Sequence, residues 1–472
     1  MAISLVWFRN DLRLADNPAL AAGLESGSIV PIFVLDPAAK WGGASLWWLH
    51  HSLASLARDC AARGAKLVLR RGDSAAIIAE LAATLGAEAV HAGRAHEPWL
   101  RHVDRAAAEE LAKRDIAFHR HRSALMFGGE QIVNKTGGVY GVYTPFSRAC
   151  FEAFSARPAI APPQRIESIA DVASDALDDW QLLPTRPDWS GGLAETWQPG
   201  EAGAHERLSA FLDADLDEYD RQRNLPGRSG TSMLSPHLHW GEIAIDAVWR
   251  ATEAARTTRA EGRTTFLKEL VWREFAAYLL WHNQDLDTVP MKAQFAAMPW
   301  RDAPGELHAW QRGRTGIPIV DAGMRQLWQT GWMHNRLRMI TASFLVKHLL
   351  IPWQTGEAWF WDCLVDADAA SNAASWQWVA GCGADAAPYF RIFNPVLQGL
   401  KFDPDGAYVR RFVPELANLP DEVIHAPWDA PQHVLRGAGV ILGRTYPEPI
   451  VDLASGRDRA LAALKEIGNS PS

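Results

Sequence analysis

The sequence predicts two architectures in one chain: an α/β N-terminal domain on a doubly wound parallel sheet, then an all-α C-terminal domain. Three observations carry this. The first 125 residues alternate short apolar runs with helical patterns, and from about residue 204 the periodicity is helical. Between them, 157–203 is rich in Pro, Gly and Trp and reads as a long ordered connection. At 472 residues the chain is too long for one ordinary core. The expected division is 1–130, an inter-domain connection over 131–203, and a helical domain over 204–472.

The expected strands are 3–8, 29–35, 66–69, 89–92 and 116–120, with helices at 46–63, 74–85 and 100–114 between them. A ligand of such a sheet belongs at the carboxyl ends of its strands. No Gly-x-Gly-x-x-Gly is present, which argues against a standard dinucleotide site there. Further helices are expected at 204–216, 243–255, 264–281, 320–329, 335–350 and 356–362.

Composition narrows the class. Hydrophobic residues make up 48% and charged residues 22%, as in a soluble globular protein. The net charge of -8 excludes a global basic field, although a basic groove remains compatible with it. Cys60, Cys150, Cys363 and Cys382 are scattered, as reduced cytoplasmic thiols would be. Arg9 and Asp11 come too early for a signal peptide, and no apolar run reaches the roughly 18 residues a bilayer span needs. The expectation is a cytoplasmic protein with no membrane contact. Twenty-two tryptophans against seven tyrosines exceed what core filling explains, and point to stacking, electron transfer or both.

Four segments carry chemistry. Thr231, Ser232, Met233, Leu234 and Ser235 follow a Gly-rich stretch and precede Pro236, so hydroxyls and helix-start N–H groups gather as in a phosphate cradle. The plainer reading is an N-capped helix. Glu269, Trp272, Arg273 and Ala276 share one helix face, mixing acid, base and indole where a core stripe would be apolar. A surface ion-pair face that includes a Trp explains that segment equally well in isolation. Trp332, Asn335, Arg336 and Met339 repeat the pattern, with His334 beside them as a proton donor or a structural histidine. In 366–378, small residues separate Asp366, Asp368, Asn372, Trp376 and Trp378, and the two tryptophans point about 200° apart on a helix. No further oxygen donors cluster with Asp366 and Asp368, so no metal is expected.

Together with Trp7–Asn17 at the start, Tyr219 with Arg223, and the run from Tyr389 to Pro395, these segments resemble the photolyase/cryptochrome family nearly end to end, and within it the bacterial cyclobutane pyrimidine dimer photolyases. The resemblance implies an N-terminal antenna domain and a C-terminal FAD-binding domain. By position, Tyr219, Thr231, Ser232, Met233, Leu234, Ser235, Arg273, Arg338, Asp366, Ala367, Asp368 and Asn372 would contact FAD. Arg338 and Asp366 resemble an ion pair that stiffens the flavin site. Asn372 matches the residue facing flavin N5, where plant cryptochromes carry Asp; the amide favours reduced flavin and repair. Trp376, Trp353 and Trp300 match a tryptophan chain that carries an electron to photoexcited flavin, core packing being the plainer reading of Trp353. Arg223, Glu269, Trp272, Asn335, Arg336, Met339, Trp378 and Gln398 match the DNA- and lesion-contacting set, with Lys401 and Arg410 as further phosphate contacts.

The implied activity is light-driven repair of cyclobutane pyrimidine dimers in damaged DNA by electron transfer from excited reduced FAD, performed by a monomeric carbon–carbon lyase. Where (6-4) photolyases carry paired histidines this chain has His334-Asn335, which favours the cyclobutane dimer. The Asn-Glu pair that holds a folate in some relatives is absent from 96–101. The second chromophore stays open: methenyltetrahydrofolate stacked on Trp47, Trp48 or Trp99, a deazaflavin at the carboxyl edge of the sheet, or none. The alternative function is a cryptochrome-type blue-light photoreceptor without repair, which would be expected to carry a C-terminal extension. A DASH-type protein is disfavoured by the presence of both Trp272 and Trp378. A dark flavoenzyme lacks an evident acid/base pair.

Overall fold

A computed structural model describes residues 2–169, 171–386 and 390–468. Compact packing divides the chain into two units: 1–217 with 232–284 and 365–368, and 218–231 with 285–364 and 369–472.

In the first unit, strands β1 (Ala2–Phe8), β2 (Gly27–Leu35), β3 (Val68–Arg71), β4 (Ala89–Gly93) and β5 (Ala117–His121) form a sheet in the order β3-β2-β1-β4-β5. All its pairings are parallel; Leu5 faces Val30 on one side and Val90 on the other. The order reverses at β1, the switch point of a doubly wound fold. Helices α1 (Pro18–Ser26), α2 (Gly43–Ala61), α3 (Ser74–Leu85) and α4 (Pro98–Ala112) cross between strands. A sheet covered on both faces needs apolar runs rather than alternation, and β1 reads Leu5-Val6-Trp7-Phe8, each about 1% exposed or less. One face packs Leu5, Trp7, Val30, Ile32 and Val90 with Ile78, Ala82, Ala107 and Leu111. The other receives α1, where a Cβ on Gly23 would lie 2.7 Å from Val6. Helix α1 escaped the sequence reading because its nine residues, Ala-rich and interrupted by Gly23, carry no strong apolar stripe.

Three histidines gather at the β5 edge of the sheet. His91 stacks on His119 at 5.0 Å and on His121 at 5.4 Å, and its Nδ1 lies 3.1 Å from His121 Nε2. Burial, then the neighbouring His121 and His119, lowers His91 to about 4.

The first unit also holds α5 (Tyr143–Ala153), the five-residue α6 (Ser235–His239) and the long α7 (Ala260–His282). Glu274, fully buried, accepts the N–H groups of Met126 and Phe127 at 2.9 Å each; burial pushes its carboxyl up to about 7 despite those bonds.

The second unit is helical. Its site-bearing elements are α8 (Pro318–Thr330), α9 (Asn335–Ser343), α10 (Trp353–Cys363), α11 (Ala369–Ala380) and α12 (Pro395–Phe402). The expected helix over 335–350 is α-helical only to Ser343 and continues as a π-turn, Phe344–His348. That turn buries Lys347, whose Nζ donates to Ala380 O at 2.7 Å beneath the Phe390 ring. Asp321, without exposed surface, accepts from Thr315, Gly316 and the Tyr446 hydroxyl, stapling the C-terminal segment to α8.

Candidate cofactor and DNA-binding site

Within the first unit, the 232–235 segment enters α6 through a left-handed residue, Met233 at φ 48°, a conformation that strains a side chain with a Cβ. Ser235 is the first residue of α6 rather than its cap; the cap position is Leu234, which makes no side-chain cap bond. The N-capped reading of this segment is therefore corrected: Ser232 Oγ accepts the Leu234 N–H at 3.4 Å, and the Ser235 side chain is exposed. On α7, Trp272 is 37% exposed and Glu269 is half-buried. Arg273 spends two N–H groups on backbone carbonyls, Ala124 O at 2.9 Å and Leu238 O at 3.1 Å, which fixes the guanidinium in place.

Around Asp368 the same unit gathers residues far apart in sequence. His239 Nδ1 lies 3.5 Å from Asp368 Oδ2, yet neither ring nitrogen of this buried histidine completes a hydrogen bond. His96 Nε2 is equally unpartnered, and burial followed by the charges of Arg273, Arg94 and Arg9 drives His96 down to about 3. Glu97, pushed up by burial, accepts the Trp99 indole N–H at 2.6 Å. Glu97, His239 and Asp368 bring one ligand-capable atom each within 4.8 Å of one another, and among the described residues no further ligand joins them. Buried polar atoms without partners are few in native proteins and call for an explanation. A nucleotide cofactor rich in ring nitrogens and hydroxyls supplies one, so these residues, with buried Asp366 and Ala367, fit FAD.

Of the folate-stacking candidates, Trp47 and Trp48 are corrected: they are 3% and 0% exposed and pack on each other, and Trp48 also meets Trp197 and His237. They are core. Trp99 is half-buried and meets Trp41 edge-on at 6.2 Å; Trp41 in turn meets Trp240 at 5.5 Å.

In the second unit, Asn335 is exposed at the start of α9, with Arg336, Arg338 and Met339 half-buried on the same helix. His334 is the cap of that helix, its Nδ1 accepting the Arg336 N–H at 3.1 Å. The structural role explains this histidine, which burial lowers to about 3. Arg336 donates to Asn224 and lies over Phe402, while Arg338 Nε donates to Met333 O at 2.7 Å. Tyr219 is buried, with the Arg223 guanidinium 5.5 Å from its ring; Thr231 is half-buried and Gln398 half-buried on α12.

Helix α11 sends its three site residues into three surroundings. Asn372 donates its amide N–H groups to Glu357 on α10, Trp376 is buried against Phe360 at 5.0 Å and Trp310 at 6.3 Å, and Trp378 lines a cavity of about 160 Å³ with Lys292, Phe295, Phe390, Arg391 and Phe393. Gly356 makes room for Trp376, since a Cβ there would stand 2.2 Å from the indole. Trp353 is 2% exposed and Trp300 half-buried. Arg410 is corrected as a phosphate contact: its guanidinium is consumed by the carbonyls of Asp405, Ala417 and Leu419 and by Asp421. Tyr389 lies outside the described residues.

Glu357, His239, Glu97 and Tyr143 were missed by sequence reasoning, because nothing in their local pattern distinguishes them; only long-range pairing does.

Residues 4–165 match the family model for DNA photolyase, and 266–466 match the FAD binding domain of DNA photolyase. The chain is 49% identical over 468 residues to a deoxyribodipyrimidine photo-lyase of Agrobacterium fabrum, covering 98% of each. It is 35% identical to Cryptochrome-1 of Arabidopsis thaliana, covering 98% of this chain and 70% of that one. The crystal structure of a bacterial class III photolyase from Agrobacterium tumefaciens superposes with a TM-score of 0.97 at 48% identity, over 100% of this chain and 98% of that one. The chain belongs to the photolyase/cryptochrome family, and its helical C-terminal half is an FAD-binding domain of that family.

Proposed function

We propose that the protein is a deoxyribodipyrimidine photo-lyase, repairing cyclobutane pyrimidine dimers in DNA under blue or near-UV light as a cytoplasmic monomer. The observation that carries the proposal is the division of labour along α11: Asn372 bonded to a carboxyl, Trp376 buried among aromatics, and Trp378 at a cavity edged by Lys292 and Arg391. Bound here, reduced FAD would supply light-driven one-electron donation for splitting the dimer's two ring carbon–carbon bonds, with the electron returned at the end. Net oxidation is zero.

The chain's own residues do the rest. By their match to the family's FAD-contacting positions, Tyr219, Thr231, Ser232, Ser235, Arg273, Arg338, Asp366, Asp368 and Asn372 would hold and orient the cofactor. Trp272 and Trp378 stack on the flipped lesion, each base–indole contact contributing roughly 1–3 kcal/mol, against the few kcal/mol that unstacking a base costs. Glu269, Asn335, Met339 and Gln398 line the lesion contact, and Arg223, Arg336 and Lys401 meet phosphates, which makes binding salt-dependent. Trp376, Trp353 and Trp300, by their match to the family's tryptophan chain, would carry an electron toward bound flavin. A second chromophore, methenyltetrahydrofolate or a deazaflavin, would belong to the antenna domain over 1–130; the half-buried Trp99 is the folate-stacking candidate left with an accessible ring.

Absorbance of the purified protein and repair of thymine-dimer DNA test this. The protein should be yellow or blue and should restore dimer DNA under blue light alone. Equal repair in darkness, or none with fully reduced FAD, overturns it; flavin photoreduction without repair would identify a cryptochrome-type receptor.

A further inference from the structure

Tyr143 opens α5 and is 8% exposed. Its ring lies flat on Trp272, with centroids 3.5 Å apart and planes 4° from parallel. Its hydroxyl donates to Lys268 O at 2.8 Å. Lys268 stands one turn before Trp272 on α7, and its carbonyl is the helical acceptor for the Trp272 N–H. Ring and hydroxyl therefore grip the same turn. Phe275 packs edge-on against both rings at 5.9 Å, and Phe146, one turn along α5, locks that helix to Phe275 at 5.0 Å and Tyr278 at 4.9 Å. The clamp is rigid at its own base.

Trp272 nevertheless keeps 37% of its surface exposed. An indole on a helix surface normally samples several rotamers, and a base that stacks on it must freeze one of them. With Tyr143 covering one face, that freedom is already spent and the remaining exposure is offered to a ligand in a single orientation. A ring of nucleobase size suits such a surface because face-to-face contact tolerates any base but requires a fixed plane, and the rings of a pyrimidine dimer, saturated at C5 and C6, meet it through van der Waals contact.

We infer that Tyr143 is a positioning residue for lesion capture, acting through Trp272 by holding its indole in the plane against which the dimer stacks. This rests on the proposed repair function. The competing explanation, that Tyr143 merely fills space between α5 and α7, predicts a loss of stability with no selective loss of dimer binding.

The experiment is a double-mutant cycle on the FAD-loaded protein with Tyr143→Leu, Trp272→Ala and the pair, alongside Tyr143→Phe. Dissociation constants are measured in the dark for a duplex carrying one thymine dimer and for the same duplex undamaged, with flavin absorbance and thermal midpoint recorded for each variant. Tyr143→Leu should weaken dimer binding by about 2- to 12-fold, the range an aromatic pair supplies, while binding of undamaged duplex and the flavin spectrum stay as in the parent. Tyr143→Phe, which keeps the ring, should recover most of that loss. In the Trp272→Ala background, Tyr143→Leu should change dimer binding no further. Parent-like dimer binding by Tyr143→Leu overturns the inference. So does a loss that persists in the Trp272→Ala background, or one shared equally by undamaged DNA. If the leucine variant does not fold, Tyr143→Met, unbranched and better able to fill an irregular gap, is judged on the same criteria. A parent protein that binds dimer and undamaged duplex alike would instead defeat the repair proposal itself.

Discussion

The Asn372 amide nitrogen donates to the Glu357 carboxylate at 2.7 Å and to the same residue's backbone carbonyl at 3.1 Å. The nitrogen end of the amide is thereby committed to α10, and the carbonyl oxygen is the end turned toward any ligand of Asn372. Burial, reinforced by the charge of Asp287, pushes the Glu357 carboxyl up to about 7, while the bond from Asn372 pulls the other way.

A carboxyl raised in the folded state favours folding when protonated. Its contribution is complete below the ordinary carboxyl range and is lost as pH rises through about 7. Glu357→Gln removes that dependence. Thermal midpoints of parent and variant measured from pH 5 to pH 8 should differ by an amount that moves steadily against the parent as pH rises; parallel curves would contradict the raised carboxyl.

Gly356 is the space into which the Trp376 indole fits. Gly356→Ala should cost about 1–3 kcal/mol by overpacking and should slow photoreduction of bound flavin by displacing the indole. Urea unfolding of the holoprotein and the rate of bleaching under blue light measure the two effects.

Trp376 packs on Phe360 and Trp310, and in the proposed mechanism it serves flavin reduction and not dimer repair. Trp376→Phe should abolish light-driven flavin reduction while chemically prereduced protein still repairs dimer DNA at the parent rate. Loss of both activities would place Trp376 elsewhere in the mechanism.

Arg336 and Arg410 should separate cleanly. Arg336→Ala should lower the slope of log K against log salt for duplex DNA by about 0.9, the value for one phosphate contact. Arg410→Ala should leave that slope unchanged and reduce stability, since its guanidinium closes a loop by binding the carbonyls of Ala417 and Leu419.

Much of the fold was legible because its signals are local. Apolar runs such as Leu5–Phe8 announce a buried parallel strand, and the spacing of Glu269, Trp272 and Arg273 places them on one face whatever packs nearby. The π-turn after Ser343 was not legible, since it answers to the burial of Lys347 beneath Phe390, a contact set by tertiary packing. Nor was the fate of Arg410, whose neighbours in sequence look like a basic surface until the chain folds back on it. Asn372 could be picked out through the family resemblance; its partner Glu357, fifteen residues earlier in an ordinary helical stretch, could not.

The stacked histidines at the edge of the sheet give the N-terminal half a proton-dependent weak point. His91 is held neutral well below its ordinary value, so its contribution to folding is intact above about 6.5 and drains away as pH falls through about 4. Over that interval the positive charge that an unfolded chain accepts freely must be forced between two other imidazoles, a repulsion that Asp11 partly offsets and Arg157 adds to at His121. Acid in that range should therefore loosen the outermost strand of the sheet, exposing its backbone amides to exchange.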